Sequence, residues 1–455
     1  MKKTFLLIIV TMWAGMTVFS QRRIVGGWHG VLNIAEMTLP IAFHIEKKDG
    51  VYITFIDSPN QGAMGIATTN TVLKGNNLTV NIAKLFAVFE GKVKKNTIKG
   101  TFTQMGTSAN LILNRGDAKY SRPQDPIPPY PYNSEDVQFE NKQADISLAG
   151  TFTYPQTGND FPSVILITGS GAQNRDEELL NHRPFLVLAD YLTRKGIAVL
   201  RYDDRGTGAS QGIYHKATLE DFASDAAAAV SYLRSRKEVN PKKTVLIGHS
   251  EGACIAFMLA GKDTALAGVV SMAGMAIAGD SLMKLQRYLI SKAMNVSDKD
   301  IAENEELVEK MNNLIQQHTA DSVFNHPKLF VDEIIPPKMK NNTPVRNAYA
   351  TELIKLASPE LQSLLQYNPV EDLLKIKCPL LAINGEKDLQ VPPKINLDNF
   401  SQWITSPLTI KQYPDLNHLF QHAETGLVSE YGQIEETISS DVLEDITQWI
   451  LKITE

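Results

Sequence analysis

The sequence predicts an α/β fold, a mostly parallel sheet with a helical cap insertion, preceded by a small antiparallel β domain. Three observations predict it. After residue 136, uninterrupted Val/Ile/Leu runs alternate with helical patterns, as strands buried on both faces of a parallel sheet require. Before residue 118, apolar residues recur with period two in short runs separated by Gly or Asn. Between 280 and 367 the strand signal gives way to charged helical segments.

The elements follow in chain order. "MKKTFLLIIVTMWAGMTVFSQ" has a charged start at Lys2 and Lys3, then an apolar stretch from Phe5 to Phe19, with small residues Val18 and Ser20. This is the pattern of an export signal over 1–20, cleaved before Gln21. The apolar run is shorter than the roughly 20 residues a membrane span needs. No cysteine follows it, which argues against a lipid anchor. An exported protein, periplasmic or extracellular, is the expectation.

The β domain is expected over 22–118. "LPIAFHIEKKDGVYITFID" alternates Ile41, Phe43 and Ile45, turns at Asp49-Gly50, and alternates again through Val51, Ile53 and Phe55. That is a hairpin signal, and four further short runs up to "ANLILNR" suggest a small barrel or sandwich. "SRPQDPIPPYPYNSED" then carries five prolines, which remove donors and hold the backbone extended. Residues 119–135 read as a semi-rigid linker or, given Tyr130 and Tyr132, as an extended segment pressed on the following domain.

From 136 to 455 the strand signals are "PSVILITGSG", "IAVLRYDDRG", "KTVLIGHS", "LAGVVSMAG", "CPLLAINGEKD" and "PLTIKQYP". "DISLAGTFTYP" before them reads as a hairpin start, and "SSDVLEDITQWILKI" after them as a closing helix. The helical insertion over 280–367 interrupts the rhythm after the sixth strand and is placed to cover a cleft.

Composition narrows the function. The 455 residues carry 45 Lys+Arg against 50 Asp+Glu, a net charge of −5, with no basic runs, so a nucleic-acid partner is not indicated. Two cysteines, Cys254 and Cys378, are too few for a disulfide framework and read as small buried apolar residues. No spacing indicates a metal site, and no cofactor is implied.

The sharpest signal is "TVLIGHSEGACIAFMLA". Gly-His-Ser-Glu-Gly lies between a buried strand and a helix, so Ser250 would project from an abrupt turn, with Gly248 and Gly252 sparing collisions beside it. A serine hydroxyl needs a base to take its proton and a third group to orient that base. In this architecture the acid follows the serine and the histidine follows the acid. Asp388, just past the strand "CPLLAING", is favoured as the acid over Glu386. His418, in the loop after the last strand, is favoured as the base over His422. Two backbone N–H donors for an oxyanion are expected at Glu251, directly after the serine, and at Ser170 in the turn "TGSG".

His249 is read as pointing away from the serine's side, and His182, His215, His318 and His326 as surface or loop residues. Asp203, Asp204 and Arg205 of "RYDDRGTGAS" are read as a structural turn with an internal ion pair, and Arg175 and Asp176 as structural too.

The stretches "ITGSGAQNRDE", "LRYDDRGTGAS", "VLIGHSEGACIA", "INGEKDLQVPP" and "PDLNHLF" together resemble the α/β-hydrolase superfamily. Within it the set resembles exported bacterial esterases of the serine aminopeptidase/dienelactone-hydrolase-like branch, the EstD-type carboxylesterases. The resemblance runs from about residue 136 to the C-terminus and weakens across the insertion. It implies hydrolysis of a small-molecule carboxylic ester through an acyl-enzyme on Ser250, with His418 as base and Asp388 orienting it. Thr168-Gly169 stands where many relatives have His-Gly, which leaves the second oxyanion donor open. Two other readings stand beside this one. A serine peptidase on the same fold would need acids in the cleft; Glu303, Glu305 and Glu306 are candidates, though such a run usually forms a solvated helix face. A glycan- or lipid-binding protein with a vestigial hydrolase is the other.

Overall fold

The computed structural model describes residues 24–34, 37–58, 63–104, 107–116 and 121–455. The predicted export signal over 1–20 lies outside the described residues. The chain divides into two compact units, 1–121 and 122–455.

The first unit is an antiparallel β structure. Its strands are β1 (Gly26–Ile34), β2 (Met37–Lys48), β3 (Val51–Ser58), β4 (Ala63–Ala67), β5 (Asn70–Lys74), β6 (Asn77–Ile82), β7 (Ala87–Lys94), β8 (Thr97–Gln104) and β9 (Thr107–Arg115). They run in the order β2-β1-β9-β8-β7-β6-β5-β3-β4, and β2 also pairs with β3. That pairing closes the sheet into a barrel, with β4 laid on β3. Closure removes the exposed edges that an open sheet would leave. The Asp49-Gly50 hairpin turn has both residues at positive φ, 52° and 85°, the geometry that matches the twist of flanking strands. Inward residues of alternate parity fill the interior, Trp28, Phe43, Phe89 and Leu111 among them.

The second unit begins within the predicted linker, which is therefore not free over its whole length. Arg122 donates to the carbonyls of Leu180, Gly432 and Ile434, and Gln124 bonds the backbone of Thr437 and Ile438. Arg183 pairs with Asp125 at 2.6 Å. Residues from Tyr132 onward already belong to a strand, β10 (Tyr132–Asn141). The extended, side-bound alternative describes 122–131 better than a spacer does.

The unit is an eight-stranded sheet in the order β10-β11-β13-β12-β14-β15-β16-β17. The remaining strands are β11 (Ile146–Pro155), β12 (Phe161–Ile167), β13 (Ala198–Tyr202), β14 (Val239–His249), β15 (Gly268–Met272), β16 (Leu380–Gly385) and β17 (Leu408–Tyr413). Strands β10 and β11 pair antiparallel, and from β13 to β17 every pairing is parallel. Helices α1 (Pro184–Arg194), α2 (Leu219–Ser235) and α3 (Glu251–Ala260) connect the early strands. Parallel strands buried on both faces need apolar residues at every position, and β12 shows it. Val164 and Leu166 pack on one face with α1, whereas Ile165 and Ile167 pack on the other with α2 and α3.

The insertion follows β15. It comprises α4 (Gly279–Ala293), α5 (Asp298–His318), α6 (Ala320–Asn325), α7 (Val331–Ile334), α8 (Thr343–Leu356) and α9 (Pro359–Gln366). Met311, Leu314, Val323, Val331 and Leu353 form a small core of its own. Four more helices, α10 (Val370–Leu373), α11 (Pro393–Trp403), α12 (Val428–Tyr431) and α13 (Ser440–Thr454), complete the unit. Among the described residues no helix is long and apolar enough to cross a membrane. Cys254 and Cys378 are both buried and unbridged, as small apolar residues would be.

Candidate active site

The turn at Ser250 is as tight as its glycines suggest. Ser250 sits at φ 53°, ψ −116°, a conformation that side chains with a Cβ avoid, between the end of β14 and the start of α3. A Cβ on Gly248 would lie 2.2 Å from the carbonyl oxygen of Gly252, and one on Gly252 would lie 2.2 Å from that of Ile167. Both glycines are thus required by close backbone approach. The Ser250 N–H donates to the Met272 carbonyl on the neighbouring strand at 2.8 Å, which fixes the turn to the sheet. The hydroxyl caps no helix N–H and is left toward a cavity.

Asp388 follows β16 by three residues and is almost wholly buried. Its Oδ1 accepts the N–H groups of Gln390 and Val391, both at 2.8 Å. Its Oδ2 accepts from Asn384 at 3.2 Å and from His418 Nδ1 at 2.7 Å. A carboxylate accepts, so Nδ1 carries the proton and Nε2 keeps its lone pair. His418 lies in the loop after β17. That loop can reach the end of β16 because residue 385 is glycine, where a Cβ would meet the Leu416 carbonyl at 2.2 Å. The rivals lie elsewhere: Glu386 is exposed, and His422 is exposed and bonded to Glu436.

Ser250, His418, His249, Gly169, Ser170 and Glu251 line one cavity of about 310 Å³. Its apolar wall comes from Leu282 and Met283 of α4 and from Leu361 and Leu364 of α9, so the insertion does cover the cleft. No hydrogen bond joins Ser250 Oγ to His418 Nε2; the two share the cavity. Among the described residues neither the Ser170 N–H nor the Glu251 N–H has a partner, whereas the N–H of Gly171 is taken by Tyr214 and Glu360. A Cβ on Gly169 would stand 3.4 Å from that of Ser250, so the turn "TGSG" runs directly beside the serine.

Three expectations need correction. His249 does not point away. It lines the same cavity, with its ring centroid 4.8 Å from that of His418. Its Nδ1 bonds Glu177 Oε1 at 2.9 Å and its Nε2 bonds the His418 carbonyl at 3.0 Å. Burial opposes a charge on this ring, but the Glu177 carboxylate outweighs it and holds the imidazole above its ordinary value. His182 is no surface residue. It is fully buried, bonded to Thr437 and the Tyr431 carbonyl, and burial pushes its ring down to about 4. His215 and His326 are exposed as expected, and His318 pairs with Glu333.

The third correction concerns "RYDDRGTGAS". Its ion pairs are structural but not internal. Asp203 takes a bidentate pair from Arg175, at 3.0 and 2.8 Å, and Arg205 pairs with Asp225 of α2 at 2.6 Å. Burial raises Asp203, yet Arg175 and two backbone N–H donors bring it below the usual carboxylate range. Asp204 accepts from the Thr168 hydroxyl at 2.7 Å and the Gln173 N–H at 2.8 Å, so it braces both ends of the loop that carries Ser170. Asp176 pairs with Arg201.

The α5 acids offered for a peptidase do not line the Ser250 cavity, in keeping with a solvated helix face. Glu303, Glu305 and Glu306 pair with Lys299, Arg287 and Lys310. The cavity instead contains Glu177, Glu251 and Glu360. Burial, then the nearby Glu360, pushes the Glu251 carboxyl up to about 8, while its bond from the Ser170 hydroxyl at 3.0 Å works the other way. Glu360 accepts from the Tyr214 hydroxyl at 2.7 Å, tying α9 to the sheet side of the cleft. Glu177, missed entirely, accepts the Gly169 N–H at 2.8 Å. Nothing local marks it; its side-chain partner, His249, is 72 residues away. Among the described residues no cluster could hold a metal ion.

An eight-stranded, mostly parallel sheet with a strained serine after its fifth strand and a helical cap over the strand ends defines an α/β-hydrolase. The chain matches the family described as Serine aminopeptidase, S33 over residues 183–425, more than half its length, and it belongs to that family. It is 28% identical over 319 residues to Esterase EstD of Thermotoga maritima, covering 69% of this chain and 68% of that protein. It is 24% identical over 297 residues to the Quorum-quenching protein AidA of Acinetobacter baumannii, covering 62% of this chain and 86% of that one. Among solved structures, the alpha/beta hydrolase GrgF from Penicillium sp. sh18 aligns over 71% of this chain and 98% of its own, at 17% identity and a TM-score of 0.46.

Proposed function

We propose that the protein is an exported serine esterase that cleaves small carboxylic esters through an acyl-enzyme on Ser250. The observation that carries the reading is the cavity shared by Ser250, in its strained turn, and His418, whose Nδ1 is held by buried Asp388. In this mechanism His418 Nε2 takes the hydroxyl proton as Ser250 Oγ attacks the ester carbonyl. The Ser170 and Glu251 N–H groups receive the negative charge that develops on the carbonyl oxygen. His418 then returns its proton to the departing alkoxide, and a water repeats the sequence to free the acid. The positive end of α3 adds to the stabilisation at Glu251. Similarity to a protein named an esterase supports the choice of ester, and the apolar cap wall supports an aliphatic or aryl acyl group. Export rests on the charged start and apolar run of residues 1–20.

An aminopeptidase reading has one observation in its favour, Glu251 and Glu360 inside the cavity, where a substrate ammonium could be met. Burial pushes the Glu251 carboxyl up to about 8, which makes it a poor partner for a cation near neutral pH, and one Glu360 oxygen is already engaged by the Tyr214 hydroxyl and the Gly171 N–H, so ester cleavage is preferred. Activity toward p-nitrophenyl esters against aminoacyl-nitroanilides tests the choice. A fluorophosphonate probe should label the native protein and not Ser250→Ala. Failure to label the native protein would leave a binding role with a vestigial site as the better account.

A further inference from the structure

We propose that Glu177 and His249 form a positioning pair that holds the oxyanion loop and the base loop in register with Ser250. The inference rests on the serine-hydrolase reading above and names residues that set the geometry of that site.

One carboxylate oxygen does two jobs. Glu177 Oε1 accepts the Gly169 N–H at 2.8 Å and the Nδ1 of His249 at 2.9 Å. The far edge of the same imidazole, Nε2, donates to the backbone carbonyl of His418 at 3.0 Å. The bonds therefore run in series from Gly169 through Glu177 and His249 to His418. Gly169 precedes the donor Ser170, His249 precedes Ser250, and His418 is the base itself. Gly169 lies just past β12, His249 closes β14, and His418 lies in the loop after β17. A ladder joins β12 to β14 as far as Ile167 and Gly248, whereas β15 and β16 lie between β14 and β17, so the His249 bond to the His418 carbonyl is what ties the base loop to that pair. Asp388 sets the rotation of the His418 ring, and the His249 contact sets the main chain that carries it.

The chemistry suits a rigid link. The two acceptors facing the ring are a carboxylate and a carbonyl, so Nε2 is a donor, and the pair holds a further proton between Nδ1 and Oε1. Bonds of that charge-assisted kind are short and directional. Glu177 and His249 are 3% and 6% exposed, so each depends on the other for the burial of its charge. Glu177 also sits at φ 52°, a backbone setting that is held by its surroundings.

The test compares native protein with Glu177→Ala and Glu177→Gln, each checked for fold by circular dichroism. Readouts are kcat and KM on a p-nitrophenyl ester and the rate of fluorophosphonate labelling at Ser250. A displaced donor and base should lower kcat and labelling in Glu177→Ala about 100-fold, with KM within about threefold. Glutamine keeps an acceptor oxygen for Gly169, so Glu177→Gln should recover to between about 3- and 10-fold below native. A folded alanine variant with native kcat overturns the proposal, as does a glutamine variant no better than alanine. If the alanine variant does not fold, the glutamine variant decides: reduced kcat at native KM supports the pair, and native kcat overturns it. Absence of labelling in the native protein sinks the hydrolase reading itself. Labelled native protein with unaffected variants sinks only the pair.

Discussion

Asp388 and His418, thirty residues apart in sequence, meet through a 2.7 Å bond between Oδ2 and Nδ1, with both side chains buried. The second carboxylate oxygen is fixed by two backbone N–H groups, so the carboxylate cannot turn away from the ring. Asp388→Asn would present an amide that can force the wrong tautomer on His418. Its kcat for ester hydrolysis should fall about 1,000- to 10,000-fold, with the fold intact by circular dichroism. A folded variant within tenfold of native activity would contradict the assignment of His418 as base.

The turn at Ser250 makes a prediction about stability. Gly248→Ala and Gly252→Ala each drive a methyl into a backbone carbonyl 2.2 Å away, and should cost about 3 kcal/mol or more. Gly171→Ala is the control. It meets nothing within 4 Å but adopts φ +93°, so its cost should be backbone strain alone, about 1–2 kcal/mol. Urea denaturation midpoints should separate the two classes.

Glu251 predicts a pH dependence. Its folded-state pKa, raised by burial to about 8, lies above the ordinary value near 4.3 of an unfolded chain. As pH rises the unfolded chain loses its proton first. The stability due to the neutral buried form is therefore full at acid pH and is lost progressively up to about 8. Glu251→Gln cannot ionise, so its melting temperature should gain on the native protein between about pH 4.3 and 8. Parallel curves across that window would refute the shift.

The cap wall predicts selectivity. Leu361 and Met283 face a cavity of about 310 Å³, and Leu361→Trp or Met283→Trp should fill part of it. Activity on an acetyl ester should survive. The kcat/KM ratio of a long-chain to an acetyl ester should drop about tenfold or more, by steric exclusion. An unchanged ratio would place the acyl group elsewhere.

Much of this architecture is legible in the chain because the signals are local. The buried parallel strands are continuous apolar runs, and the bend at Ser250 is announced by two glycines at fixed distance. Asp388 and His418 could be chosen over Glu386 and His422 because position relative to a strand end is itself readable. Glu177 and His249 could not be read, since their partnership spans 72 residues and depends on which loops the sheet order brings together. The burial of His182 is hidden for the same reason: its partner Thr437 is 255 residues away. In the barrel, alternation predicts strands and the Asp49-Gly50 turn, but not that β2 would pair on both sides and close the sheet. The prolines of 122–131 exclude helix and interior strand without telling that Arg122 and Gln124 would be fastened down.

That fastening sets where the hydrolase unit could be excised from the chain. A fragment starting at Asp136 would strip the carbonyls of Leu180, Gly432, Ile434 and Ile438 of their donors and shorten β10 by its first four residues. The segment around α12, which also receives His182, would lose its outer stitching. A fragment starting at Ser121 would keep every one of those ties, so the proline-rich stretch belongs to the hydrolase as a strap and travels with it.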